Sequence, residues 1–584
     1  VEIVTYRFAF SLSRSSSPRV FVGYRCKELL ALSKPLDVAD GIRVSKMFHQ
    51  HDGLHRGVEM VTSPFFYVGA ALPHPDTRSP ESLLRGFNGR MGRKLPEVEI
   101  PGYFGRLKSV TREWIKRRKL CPVSADNDFD FYVWLNSRNL TLKRRAEFIA
   151  IHEEVVDLLE RNNSGELKNF KVKLFCKDEQ YTDFKMNRGI YAREDVAKVF
   201  FGPAFHAIEE ELYQQPEFIK HVPVKDRGAY IFKMLYEDGA KYVATDYSAY
   251  ECHFTKERME NCEFVLYEHM LNTSPMGKYI LDVMREVLQG DNLVMSKFFT
   301  GVVSARRMSG EMNTSLGNGF GNLMMMTETC LRIDIGWDNI IGVVEGDDGL
   351  FRFTSKSPSR EDFTIAGCDI KLNTYDRISD ASFCGLLFDE TDQQVIKDPY
   401  DIITSIGLLT KQYAKARRGK KLALLRAKAL STIYQYPGCP IVAEIAKYII
   451  RETKHIDMRN VLDRCQSFDS YHRELYLEAL KHHQYQSDLV IGMGTRLLFQ
   501  ELYGIPVDVQ LRLESHFKNL VGLAPFQDDF LDYCMSTSNE MRHWQEYYDL
   551  YSVADSGNID PHCVNIPNYL VAVSPMDSRL GAGS

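Results

Sequence analysis

The sequence predicts an α+β protein built from several subdomains, and three observations carry that prediction. Short apolar runs flank an acidic, glycine-led turn within Val343–Phe351, the pattern of a β-hairpin. A run that suits extended chain begins at Lys241 and delivers an acid, Asp246, at its end. Charged and apolar residues recur at helical spacing around Arg258–Met270, and the chain beyond about residue 395 reads as chiefly helical. At 584 residues the chain is long for one compact domain, since single hydrophobic cores stop growing at roughly 250–300 residues.

Composition narrows the classes. Hydrophobic content of 44% and charged content of 26% are ordinary for a soluble globular protein. A net charge of −5 does not advertise a polyanion binder, yet it conceals basic runs, and an enzyme with a nucleic-acid channel needs only the channel to be positive. Twelve cysteines with no C-x-x-C pair and no zinc-finger spacing suit reduced thiols in a cytosol-like compartment. No apolar run reaches the roughly 18–20 residues of a membrane span, so no transmembrane segment is expected. There is no signal-peptide pattern, and a chain opening on Val1 reads as a processed or partial product. A G-x-x-x-x-G-K-[ST] loop is absent, which disfavours a helicase or NTPase, and no solenoid repeat is present.

In chain order, residues 1–90 are mixed segments with a loop at Ser13–Pro18 and no visible chemistry. Arg106–Lys119 and Leu142–Arg145 are basic runs, either solvated helix faces or phosphate contacts. Lys171–Arg193 interleaves basic and aromatic residues and breaks at Gly189. Lys177, Lys185 and Arg188 can approach one polyanion there, with Asp178 and Glu179 holding them, and the planar arginine fork matches phosphate. A salt-bridged surface hairpin is the plainer alternative.

Asp246 at a strand end, followed by Ser248 and Glu251, is costly if buried without a partner. A metal ion supplies one partner, and a helix cap or turn supplies another. Residues 255–300 read as mainly helical. Arg306–Asn318 is a polar, glycine-punctuated loop running into an apolar helix through Asn322–Leu331. Its hydroxyls, amide and N–H groups near a helix start can hold anions and sugar hydroxyls, or simply cap the helix. In the acidic turn, Gly346 can adopt backbone angles that other residues resist. Asp347 and Asp348 follow it, and successive side chains of extended chain point to opposite faces. Mg²⁺ takes such oxygen ligands, usually one or two carboxylates with phosphates and water. Taken alone, the turn is equally a solvated acidic tip. Ser359–Lys371 reads as a short helix and turn entering a strand, and Ala381–Phe388 as a second hairpin. Lys411–Lys428 is a basic helix, solvated or lining an RNA path, and the tail from about 555 is rich in Gly, Pro and Ser.

In order and spacing these stretches resemble the palm motifs of RNA-dependent RNA polymerases of positive-strand RNA viruses, nearest the tombusvirus-like and nodavirus-like branch. Asp246-x-x-x-x-Glu251 resembles the first motif. Ser309-Gly310-x-x-x-Thr314-x-x-x-Asn318 resembles the second, and Gly346-Asp347-Asp348 the third. Lys371 falls where the fourth carries a lysine, and Phe383-Cys384-Gly385 resembles the fifth. Lys177-Asp178-Glu179 through Lys185, Arg188 and Ile190 is similar to the fingertip motif that meets incoming NTP. The match spans roughly residues 171–390, with one departure: Glu251 stands where the family usually carries aspartate.

The resemblance implies a right hand of fingers, palm (an antiparallel sheet with helices) and mainly helical thumb. Residues 1–90 would be an N-terminal extension placed to link fingers and thumb. Residues 91–235 would be fingers with the fingertip motif, 236–270 palm with the first motif, and 271–300 a fingers insertion. Residues 301–395 would complete the palm, and 396–584 would form the thumb and a C-terminal extension. The implied activity is template-directed RNA synthesis from NTPs with two Mg²⁺ ions, Mn²⁺ able to substitute. Asp246, Asp347 and Asp348 would be the catalytic metal ligands, and Lys371 a proton donor to pyrophosphate. Lys185 and Arg188 would meet the triphosphate, while Glu251, Ser309, Thr314 and Asn318 would meet the ribose. Lys177, Arg306, Arg307 and Gly310 would contact RNA. Implied partners are RNA template and nascent strand, NTPs and other viral replication proteins, in membrane-associated complexes of the host cytoplasm. A reverse transcriptase or DNA polymerase also carries palm acids, but the Ser-Gly…Thr…Asn loop argues against both. A non-catalytic RNA-binding structural protein is the rival of another class.

Overall fold

The computed structural model describes residues 19–21, 42–47, 59–67, 80–127, 129–138, 140–161, 171–177, 188–410, 413, 415–456 and 489–537. Nine strands build the two sheets that matter for the site: β1 (Ile42–Met47), β2 (Lys171–Cys176), β3 (Gly189–Arg193), β4 (Lys241–Tyr247), β5 (Asp291–Ser296), β6 (Phe299–Ser304), β7 (Ile341–Glu345), β8 (Asp348–Phe353) and β9 (Ile370–Tyr375). The helices that frame them are α1 (Pro80–Arg90), α2 (Tyr103–Arg118), α3 (Thr314–Arg332), α4 (Arg418–Gln435), α5 (Val442–Glu452) and α6 (Val507–Asn519). The mixture of elements agrees with the α+β expectation.

A four-stranded antiparallel sheet in the order β9-β4-β8-β7 lies at the centre. Its residues alternate between two apolar clusters, as extended chain requires. Val243, Tyr247, Val344, Phe351 and Phe353 enter the cluster shared with α2 and α3. Tyr242, Ala244, Val343 and Leu350 enter a second cluster with Ile219, Ile231, Leu235, Ile378 and Phe383. Both faces are therefore covered, and every residue of β4 is buried except Lys241 and Asp246. Helix α3 is buried continuously from Leu316 to Cys330, as a helix that is apolar nearly all round must be. Helix α2 turns Leu107, Thr111 and Trp114 toward it. The basic run of α2 bonds protein acids: Arg106 meets Glu328 at 3.3 Å, Arg117 meets Glu113 at 3.0 Å, and Arg118 pairs with Glu217.

The second sheet has the order β1-β6-β5-β2-β3 and is mixed, since β2 and β5 run parallel. Its β5–β6 hairpin corrects the expectation of helix through residue 300. Helices occupy Lys256–Asn261, Glu263–Leu271 and Pro275–Leu288, and then the burial pattern switches to strict alternation. Of the expected hairpin at Ala381–Phe388 only a tight two-residue turn forms, and Leu387–Phe388 pairs instead with Val395–Ile396. Phe383 and Leu386 exchange both backbone hydrogen bonds across Cys384 and Gly385, whose φ angles are 53° and 69°. Positive φ at both central residues is the type I′ pattern.

Pieces of the N-terminal segment pair with distant parts of the fold. Strand β1 adds to β6, while Glu59–Thr62 pairs with Leu408–Thr410. Phe65 then enters a third core built by α4, α5 and α6, edge-on to Tyr448 at 5.6 Å and Phe517 at 6.4 Å. The basic stretch entering α4 is partly interior, while Arg417, Arg418 and Lys420 are exposed. Lys428 donates to the carbonyls of Ser405 at 2.9 Å and Leu408 at 2.6 Å, and burial lowers its pKa to about 8. Residues 411, 412 and 414 of that run lie outside the described residues.

The nine cysteines of the described residues are free. None of the described helices is long and apolar enough to cross a membrane. Phe65→Ala is expected to cost about 3–5 kcal/mol, read as a lowered Tm in thermal melts. An unchanged Tm would show that the N-terminal segment is no part of that core.

Candidate active site

The centre of the molecule assembles its acids through strand register. Strand β9 sets Lys371 opposite Asp246 of β4. On the other side of β4, Thr245 faces Gly349 of β8, and continuing that ladder one step brings Asp348 across from Asp246. Asp348 in turn pairs with Glu345 of β7. Residues opposite one another in an antiparallel ladder share a face. Glu345, Asp348, Asp246 and Lys371 thus form one row across four strands.

Gly346 and Asp347 close the β7–β8 hairpin. Gly346 has φ 64° while Asp347 does not share the positive value, the type II′ pattern that places glycine first. Nothing crowds a Cβ at Gly346, so its requirement is conformational alone. The carbonyl of Asp347 is held from beneath: Asn322 Nδ2 donates to it at 2.8 Å and Thr245 Oγ1 at 3.3 Å. Helix α3 approaches the same turn so closely that a Cβ on Gly319 would lie 3.5 Å from the Gly346 nitrogen.

Electrostatics follow from this crowding. Burial, then the charge of Asp347, with Asp246 and Glu345 adding, raises the Asp348 carboxyl to about 6, against a smaller downward pull from the Cys384 thiol. Asp347 also stands above the usual carboxylate range. Lost solvation leads the causes, its own backbone pulls it down, Glu251 pushes it up, and Arg188 and Arg90 pull it down. Solvent nevertheless reaches the Asp347 side chain. Glu345 is restrained by Arg227, whose Nη1 lies 2.6 Å from its Oε2.

Among the described residues no three His, Cys, Asp or Glu side chains form a ready ligand set for a metal ion. The row instead offers carboxylates in ones and twos, the number Mg²⁺ uses when substrate phosphates and water complete its shell. Burial, and after it the neighbouring negative charge, lifts Asp348; a divalent cation would offset both, so the donor chemistry fits such an ion.

The other expected residues are distributed more widely. Arg188 comes within electrostatic reach of Asp347. Lys177 ends the described β2–β3 ladder beside it, its backbone N–H donating to the Arg188 carbonyl at 2.7 Å. Lys185, with residues 178–187, lies outside the described residues. Asn318 is 7% exposed on α3, with its Oδ1 unpartnered and its backbone carbonyl accepting from the Tyr250 hydroxyl at 3.0 Å. Glu251 is bound by Arg90 of α1, whose Nη2 lies 2.9 Å from one carboxylate oxygen and 2.8 Å from the other.

Ser309 and Thr314 spend their hydroxyls on backbone. Ser309 Oγ accepts from the Tyr191 N–H at 3.3 Å, and Thr314 Oγ1 lies 3.1 Å from the Met308 carbonyl and 3.0 Å from that of Glu311. Gly310 is needed for close packing. Its N–H donates to the Tyr191 carbonyl at 3.0 Å, and a Cβ there would sit 2.9 Å from Ala192 Cα. Arg307 is a plain correction. Its side chain is fully buried, ion-paired with Glu263 and, at 3.7 Å, with Glu311, and lies over the Phe254 ring, where no phosphate can reach it. Arg306 is half-buried, and burial lowers its pKa.

Five residues outside the expected set also shape the site. Asn322 lies one helical turn beyond Asn318, a spacing visible in the sequence. Arg90, Arg227 and Glu345 gave no local signal. His253 joins the turn after β4 to the start of β9. Its Nε2 accepts from the Asp369 N–H at 2.9 Å, which leaves Nδ1 to donate to the Tyr250 carbonyl at 3.2 Å.

No protein-family model matches the chain, and a search of curated proteins finds no match.

A raised carboxyl favours the fold while protonated, and that contribution is lost as pH rises through about 6. In chelator, Asp348→Asn is therefore expected to raise the Tm relative to the parent at pH 8, with the gap closing toward pH 4. A gap independent of pH would refute the raised Asp348 carboxyl.

Proposed function

We propose that this chain is an RNA-dependent RNA polymerase that copies a viral RNA genome. One observation carries the reading: a register-locked row of acids ends in a lysine and is overhung by a glycine-led aspartate turn, beside a buried asparagine with an unmet acceptor. Template-directed transfer needs these elements together. The attacking 3′-hydroxyl must lose its proton and form a bond to the NTP α-phosphorus. The α–β phosphoanhydride bond must break, and pyrophosphate must leave.

Asp246, Asp347 and Asp348 would hold divalent cations, which when bound stabilise charge on the attacking and leaving oxygens. Arg188, near Asp347, would neutralise the triphosphate as charge shifts onto the leaving group. The Lys371 ammonium, opposite Asp246, would give a proton to departing pyrophosphate. Asn318 Oδ1 would accept a hydrogen bond from a 2′-hydroxyl, the group that separates ribose from deoxyribose. Packing of the Ser309–Gly310 loop against β3 would keep the Arg188 end of the β2–β3 hairpin in register with the acids.

In this reading the central sheet is the palm, the five-stranded sheet belongs to the fingers, and the C-terminal helices form the thumb. The N-terminal pairings with β6 and with Leu408–Thr410 support a link between fingers and thumb. The partners would be RNA and NTPs, with other replication proteins in host cytoplasmic, membrane-associated complexes.

With purified protein, an RNA template, labelled NTPs and Mg²⁺ or Mn²⁺, Asp347→Ala is expected to lower incorporation on the order of 10⁴-fold while RNA binding persists. Retained synthesis would remove the metal assignment, and RNA binding without any synthesis by the parent would favour a structural RNA-binding protein. Asn318→Ala is expected to cut discrimination against dNTPs by about tenfold, the worth of one hydrogen bond of ~1.4 kcal/mol. Equal selectivity in variant and parent would end that role.

A further inference from the structure

Glu251 reaches the site with a partner from outside every motif discussed above. Arg90 is the last residue of α1, a helix seated on the five-stranded sheet through Leu83 and Phe87, with Met91 just beyond its end in the same cluster. Phe87 meets Phe299 at 5.4 Å and Tyr191 at 6.2 Å, which fixes the end of α1 beside β3 and β6. One nitrogen, Nη2, serves both oxygens of Glu251, so the three N–H groups on Nη1 and Nε remain for other acceptors. The pair is well shielded, with side-chain exposures of 24% and 10%, and the Arg90 charge is felt at Asp347.

The chain beyond Arg90 repeats the contact pattern. Arg93 Nε bonds Asp369 at 2.7 Å, Val98 bridges Ala366, and the Glu99 N–H donates to the Ile365 carbonyl at 2.8 Å. Residues 90–99 thereby tie the turn that follows β4 to the segment that leads into β9. Glutamate has one more rotatable bond than aspartate, so its carboxylate has more positions open to it. A bound guanidinium removes that freedom.

We propose that Arg90 is a specificity-determining positioning residue. By holding both oxygens of Glu251, it sets where that acid stands against the sugar of an incoming nucleotide, and so governs the choice of ribose over deoxyribose. The inference rests on the polymerase reading and adds to it a residue that acts through Glu251. Loss of Arg90 leaves Glu251 mobile and its charge unshared, which weakens NTP binding more than dNTP binding.

The test measures kcat and KM for an NTP and its 2′-deoxy counterpart in the parent, Arg90→Ala, Arg90→Lys, Glu251→Gln and the Arg90→Ala/Glu251→Gln double variant. Arg90→Ala is expected to lower the NTP:dNTP ratio of kcat/KM by about tenfold, chiefly through a raised KM for the NTP. Arg90→Lys should give an intermediate ratio. The double variant should match Glu251→Gln alone, because the effect passes through that acid. A parental ratio in Arg90→Ala, or effects that multiply in the double variant, overturns the inference while leaving the polymerase reading intact. If Arg90→Ala does not fold, a parental ratio in Arg90→Lys overturns it equally. A parent that incorporates neither substrate overturns the polymerase reading, and this inference with it.

Discussion

Mutual repulsion among Glu345, Asp348 and Asp246, neighbours in register across three strands, is the constraint the surrounding structure answers. Backbone hydrogen bonds fix the strands, so these carboxylates cannot separate without breaking the ladder. Compensation arrives from each side: Arg227 on Glu345, Lys371 opposite Asp246, and Arg188 and Arg90 within reach of Asp347. Two apolar clusters close over the faces of the sheet and leave the acids along one edge of an otherwise dry core.

Precision in the neighbouring loop comes from a different source. Arg307 is anchored to Glu263 and Glu311, while Arg193 of β3 pairs with the same Glu311 and donates to Asn292 at 2.7 Å. Two arginines and two glutamates in a dry setting have few arrangements that satisfy them. A charge left unpaired there is strongly destabilising, so such a network specifies geometry more than it adds stability. Through it, the Arg306–Asn313 loop, β3 and the helix carrying Glu263 keep one relative position.

Features that depend on local chain chemistry were legible in the sequence. The Gly346 turn, the strand carrying Asp246 near its end, the short helix after Ser359 and the reversal within Ala381–Phe388 each carry their signal within a few residues. Register was not legible. Nothing near Lys371 in the chain states that it lies opposite Asp246, and nothing near Glu345 marks it as the end of the row. Charge runs misled for a related reason. Arg307 reads as exposed because arginine usually is, and only tertiary packing shows Glu263 waiting for it. Arg90 was invisible because its partner lies 161 residues away.

His253 has a consequence of its own. Both ring nitrogens are committed, one as bare acceptor and one as donor, so a single neutral tautomer bridges Tyr250 and Asp369. Burial, with Arg258 nearby, depresses its pKa to about 3. The imidazole therefore behaves as a fixed rivet through neutral and mildly acidic conditions alike. A buried histidine close to a row of acids is often assumed to shuttle protons or to sense acidity. This one is mechanically useful because it does neither.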